Sequence, residues 1–126
     1  GKYVAPQHLE NLIVNSMFIE QSMVLGNSRK FCAALVVPDF QNIRNYLQLP
    51  SDMKASEMLK NELVLQLIKT EVDKANSHVP QWEQIKKYHL LERAFTIDSG
   101  EMTPTLKIKR NVVSELYKDK IEHLYD

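Results

Sequence analysis

Along the chain, apolar positions fall first at helical spacing, then at strand spacing, and later return to helical spacing. Pro6 suits the first turn of a helix, where its missing N–H costs nothing. After it Leu9, Leu12 and Ile13, with Ser16 and Met17 following, step by i, i+3, i+4 and predict one buried helical face. Over residues 18–39 the period shortens. Phe18-Ile19 and Met23-Val24-Leu25 lead into the polar loop Gly26-Asn27-Ser28-Arg29-Lys30, and residues 31–37 then form a continuous apolar run. This pattern predicts a β-hairpin whose second strand is buried on both faces, ending at Pro38, which cannot donate to a sheet ladder.

A helix is expected from Phe40 to Leu47, closed by Pro50. Polar residues 51–58 lead into the longest helix, with a face of Val64, Leu67, Ile68, Val72, Ala75 and Val79 and its limit at Pro80. A short strand is expected over 87–91, and the segment 82–88 is expected to be core. An extended segment and loop follow over 93–105, turning at Ser99-Gly100. A last amphipathic helix is expected over 109–124, with Val113, Leu116, Tyr117, Ile121 (or Lys120) and Leu124 inward. The order of elements predicts an α+β domain: a small antiparallel sheet containing a β-hairpin, covered by helices. No internal repeat is present.

The length of 126 residues suits one domain, and 44% hydrophobic with 25% charged residues is globular composition, so the chain is expected to fold alone. Sixteen basic residues offset sixteen acidic ones, so no net field favours nucleic acid. The longest apolar run is far too short to span a bilayer, and no signal-peptide pattern opens the chain. Cys32 stands alone inside a strand-like run and is expected to be a buried core thiol. A cytoplasmic setting follows as the expectation, with peripheral membrane association left open.

A search for a self-contained active site finds little. His8, His78, His89 and His123 fall on different elements without metal-ligand spacing. There is no glycine-rich phosphate loop, no HExxH and no GxSxG. Asp98 and Glu101 suggest a solvated turn. One cluster remains: Thr103-Pro104-Thr105-Leu106-Lys107-Ile108-Lys109-Arg110, with three cations and two hydroxyls in eight residues leading into a helix. Such a cluster suits phosphate or carboxylate, and a solvated basic turn is the alternative.

The same cluster resembles the C-terminal lysine motif of adenylate-forming enzymes. In that motif a threonine and two further residues precede Gly-Lys; here Leu106 stands at the glycine position and Lys107 at the lysine. The Thr-Pro-Thr-Leu-Lys-Ile-Lys-Arg wording is similar to the long-chain fatty acyl-CoA synthetase branch. Two other segments agree. Gly1-Lys2-Tyr3-Val4-Ala5-Pro6-Gln7, with Leu9-Glu10, resembles the segment after that family's interdomain hinge. Leu25-Gly26-Asn27-Ser28-Arg29-Lys30 with Ala33-Ala34-Leu35-Val36-Val37-Pro38-Asp39 resembles the hairpin that follows it.

The resemblance implies that residues 1–126 are the C-terminal mobile domain of a fatty acid–CoA ligase, whose ATP- and acyl-binding N-terminal domain lies outside this chain. The abrupt opening at Gly1 suggests an engineered boundary. Fatty acid, ATP with Mg²⁺, and CoA would serve the complete enzyme; none is expected to be bound to the isolated domain. Lys107 would stabilise charge during adenylation, and Gly1, Lys2 and Tyr3 would line the pantetheine side in the thioester-forming pose. Lys109 and Arg110 are expected at the helix start as surface charges or ion-pair partners, and Arg29 and Lys30 at the surface. Lys74, Lys86 and Lys87 are candidates for the CoA phosphates, with nothing to choose among them. Two alternatives stand beside this reading: another adenylate-forming ligase, and a non-catalytic interaction module.

Overall fold

The computed structural model describes residues 4–126. Helix α1 (Pro6–Val14) is followed by strands β1 (Ile19–Leu25) and β2 (Cys32–Pro38), then helices α2 (Phe40–Leu47), α3 (Ala55–Met58) and α4 (Glu62–Asn76). A 3₁₀ turn (Gln81–Glu83), strand β3 (Ile85–Leu90) and helices α5 (Arg110–Leu116) and α6 (Lys118–Leu124) complete it. The α+β class, the hairpin and the helical cover are as expected.

The sheet order is β1-β2-β3, so β2 is central. β1 and β2 pair antiparallel, whereas β3 pairs parallel to β2, with Ala34 opposite Tyr88 and Val36 opposite Leu90. The sheet is therefore mixed rather than antiparallel throughout. Its cause is the connection: α2, α3 and α4 intervene between β2 and β3, and a crossover of that length carries the chain back to the end where β2 began.

Every residue of β2 is buried, as a central strand covered on both faces requires. Cys32, Ala34 and Val36 face a core with Leu9 and Ile13 of α1, Ile43 of α2 and Val64, Ile68 and Val72 of α4. Leu35 and Val37 face a second core with Phe95, Met102, Val113 and Ile121. Burial pushes the Cys32 thiol up, with the Glu83 carboxylate adding to it, in keeping with an unreactive core thiol. Local signals set the helix starts: Asp39 accepts from the Asn42 N–H at 3.0 Å, and Asn61 caps α4 through the N–H groups of Leu63 and Val64.

Some positions depart from the sequence expectation. The last helix is divided at Tyr117, which leaves the helical region at φ −106°, ψ 23°. The inward stripe runs Val113, the half-buried Tyr117, Ile121 and Leu124, in steps of four, four and three, and this leaves Leu116 off its edge and 54% exposed. Met17 lies beyond the end of α1 and is exposed. In the segment expected to be core, Ile85 is buried but Trp82 is 42% exposed.

Candidate active site

The lysine cluster forms a small tight hairpin between the second core and α5. Met102 and Ile108 make an antiparallel bridge. The Leu106 N–H donates to the Thr103 carbonyl at 2.8 Å, and the Thr103 N–H donates to the Lys107 carbonyl at 2.8 Å. Pro104, Thr105 and Leu106 are therefore a three-residue loop, the kind whose last residue adopts a left-handed backbone. Leu106 does so, at φ 63°. Pro104 fixes the first loop torsion, and the Thr103 hydroxyl accepts from the Lys107 N–H at 3.0 Å. The Thr-Pro-Thr spacing thus has a mechanical meaning: it builds the turn that presents Lys107. The Lys107 side chain is exposed, and its ammonium has no hydrogen-bond or ion-pair partner among the described residues.

Beneath this hairpin lies a carboxylate expected to be solvated. Glu101 is 0% exposed. Arg93 holds both of its oxygens, at 2.8 and 3.1 Å, and the Ser99 hydroxyl donates to it as well. The Glu101 carbonyl accepts from the Lys109 N–H at 2.8 Å, closing the base of the hairpin. Gln21 fastens the same region to the sheet: its amide donates to the Phe95 carbonyl at 3.0 Å and accepts from the Phe95 N–H at 2.6 Å. Gln21 stands beside the register shift of β1, an irregularity suited to an edge strand.

Burial alone would raise the Glu101 pKa, but hydrogen bonds from Arg93 and Ser99 outweigh it and hold the carboxyl below its ordinary value. A carboxyl depressed in the folded state stabilises above its unfolded pKa and loses that contribution as pH falls through the folded value. The melting temperature should therefore fall as the pH drops below about 4.3, the ordinary value of a glutamate carboxyl. Glu101→Gln should lower it at neutral pH and flatten part of that slope. Part only, because Glu71, bonded to Ser16 and Lys74, is also held low against its own burial. Thermal melts of both proteins across this range provide the measurement; parallel slopes would show that the Glu101 carboxyl is not held below its unfolded value.

Arg110 is an ion-pair partner. Its guanidinium meets Glu10 at 2.6 Å, and the other oxygen of Glu10 accepts from the Val24 N–H at 2.6 Å. One buried carboxylate thus joins α1, the edge of β1 and the start of α5. A cleft of about 580 Å³ lies between α1, β1 and the hairpin, with Glu10, Gln21, Lys107 and Arg110 on its walls. Lys109 is exposed at the helix start.

Gly1, Lys2 and Tyr3 lie outside the described residues. Val4, the first described one, is clamped to the β1–β2 turn: its N–H donates to the Asn27 side chain at 2.8 Å, and its carbonyl accepts from the Asn27 amide at 3.1 Å. That turn follows the far end of β1 from Gln21, and Gln21 lies about 13 Å from that end at strand rise. Arg29 meets Glu122 at 3.2 Å and lies over the Tyr125 ring. Lys74 pairs with Glu71, and Lys87 lies over the Phe31 ring. The structure gathers none of these cations around Lys107. Sequence reasoning missed Glu101 and the Glu10–Arg110 pair. Arg93, eight residues before Glu101, was the one local signal for the former; the latter spans 100 residues and leaves no local trace.

The family model described as AMP-binding enzyme C-terminal domain matches residues 1–126. The chain is 33% identical over 129 residues to the long-chain-fatty-acid–CoA ligase FadD15 of Mycobacterium tuberculosis, covering 100% of this chain and 22% of that protein. It is 32% identical over 132 residues to the human long-chain-fatty-acid–CoA ligase 6, covering 99% of this chain and 18% of the relative. The chain therefore spans about a fifth of the length of these curated relatives. Among solved structures, the adenylation domain of the carboxylate reductase of Mycobacterium chelonae superposes with a TM-score of 0.78 at 25% identity, over 99% of this chain and 18% of that one.

Proposed function

The chain belongs to the family of AMP-binding enzyme C-terminal domains, and from this premise we propose that it is the mobile domain of a long-chain fatty acid–CoA ligase. Its part is to deliver Lys107 to the adenylation centre. In that step a fatty-acid carboxylate attacks the α-phosphorus of ATP, the bond to pyrophosphate breaks, and acyl-adenylate forms. Negative charge spreads over the transferring phosphoryl group, and a preplaced ammonium stabilises it. The observation that carries this reading is the tight hairpin, braced by Glu101, Arg93 and Gln21, that holds the Lys107 ammonium out without a partner among the described residues. Mg²⁺ enters as part of the ATP substrate, and no described residue of this chain is assigned to hold it.

In the second step the CoA thiol attacks the acyl carbon and AMP leaves. Gly1, Lys2 and Tyr3 would then line the pantetheine side. Val4 is fixed to the β1–β2 turn through Asn27, whereas Gln21, near the start of β1, holds Phe95 beneath the Lys107 hairpin; this separation supports a reading in which the domain turns between two poses. The full-length protein should release AMP and form acyl-CoA from ATP, CoA and a long-chain fatty acid. AMP release confined to aryl or short acids would favour a different adenylate-forming branch; no AMP with any acid would favour an interaction module. A second reading, another adenylate-forming enzyme, draws on the close superposition with the carboxylate reductase domain. CoA-dependent product formation separates the two.

The isolated chain should melt cooperatively and sediment as a monomer, because its two cores close on one sheet. It should form no acyl-CoA. Turnover by the purified chain would show that the missing region is not needed.

A further inference from the structure

Leu106 carries two costs that folding does not require. Its φ of 63° is left-handed, a region that crowds any side chain bearing a Cβ. Its side chain is also 65% exposed, beside Ile97, which is 45% exposed. Glycine would adopt this turn without strain and leave no apolar group in water. Leu106, Ile97, Phe95 and Met102 together line a groove of about 400 Å³ next to the hairpin. Leu106 also lines the cleft of about 580 Å³ that Lys107 lines, so a surface that enters there to receive the ammonium meets Leu106 as well. The chain spans 22% of the length of the FadD15 relative, and in the function proposed above the ATP-binding part of the polypeptide would provide that surface.

We propose that Leu106 is a positioning residue, resting on the function above: it seats against an apolar surface of the ATP-binding part of the same polypeptide and so sets how far Lys107 reaches. Adenylation would then depend on Leu106 although it touches no reacting atom.

The test uses the full-length enzyme with Leu106→Gly, Leu106→Met and Lys107→Ala. In the isolated chain of 126 residues, Leu106→Gly should raise the melting temperature by roughly 2–5 °C through relief of strain. In the full-length enzyme it should nevertheless slow adenylation by roughly 10- to 100-fold, the range expected from losing one leucine burial. That loss should fall on kcat with KM for ATP unchanged, since the contact forms only on closure. Thioester formation from preformed acyl-adenylate should continue at the parent rate, and Leu106→Met should recover most of the adenylation rate. Adenylation by Leu106→Gly at the parent rate, alongside its loss in Lys107→Ala, would overturn this proposal alone. Equal losses in both half-reactions, or a Leu106→Met variant as slow as Leu106→Gly, would overturn it too. A parent enzyme that makes no acyl-adenylate would overturn the functional reading, and this proposal with it.

Discussion

Val36→Asp should leave the domain without a cooperative melting transition. Val36 is 0% exposed at the centre of the middle strand, opposite Ser22 on one side and Leu90 on the other. Its side chain faces the core built by α1, α2 and α4, where no described cation is placed to meet a carboxylate. A buried, unpaired charge costs several kcal/mol even after relaxation, against a total stability of roughly 6–19 kcal/mol for a domain of this length. Taking up a proton would not rescue the variant, because the acid would still bury polar atoms among hydrocarbon. Leu63→Asp is the comparison. Leu63 is 63% exposed in the first turn of α4, where a carboxylate is favoured by the helix dipole, so its effect should stay within about 0.5 kcal/mol. Circular dichroism melts of the two variants give the answer. A Val36→Asp transition within a few degrees of the parent would mean that β2 is not the buried centre of the sheet.

Much of this architecture is legible in the sequence because it depends on local periodicity. The unbroken run from Phe31 to Val37 marks a strand covered on both faces, whereas alternation would have marked a half-solvated one. The face of α4 follows from its spacing, and even Val79, beyond the end of that helix, is buried. Pairing direction is different in kind. Nothing between Ile85 and Leu90 distinguishes a parallel partner from an antiparallel one; the crossover through α2–α4 decides it. The buried carboxylates were also hidden, since a glutamate at the end of a polar turn looks solvated until its partner is known. Glu10 finds Arg110 from 100 residues away and Glu71 finds Ser16 from 55. Lys107 stood out in the sequence by resemblance, and the hairpin supplies the physical reason for its motif. The left-handed backbone of Leu106 explains why glycine is usual there, but from sequence alone the leucine was only a departure. The roles of Gly1, Lys2 and Tyr3 rest on resemblance, as those residues lie outside the described structure.

Lys107→Ala in the full-length enzyme carries the functional claim. The ammonium stands beside a braced turn and is bound to nothing among the described residues, so its removal should leave the fold intact. By comparison with the loss of one preorganised donor to a developing oxyanion, adenylation should slow by roughly 10²–10³-fold or more. Thioester formation from preformed acyl-adenylate should be largely spared, because in the proposed function the domain would turn and carry the lysine away before CoA attacks. Lys109→Ala is the control: its backbone N–H holds Glu101 and survives the substitution, while its side chain is exposed, so neither step should change much. The decisive measurement is the pair of half-reactions in these variants: pyrophosphate release from ATP and fatty acid, and CoA consumption from synthetic acyl-adenylate. A loss confined to pyrophosphate release in Lys107→Ala is the result predicted here. Equal losses in both steps, or a larger loss for Lys109→Ala than for Lys107→Ala, would contradict it.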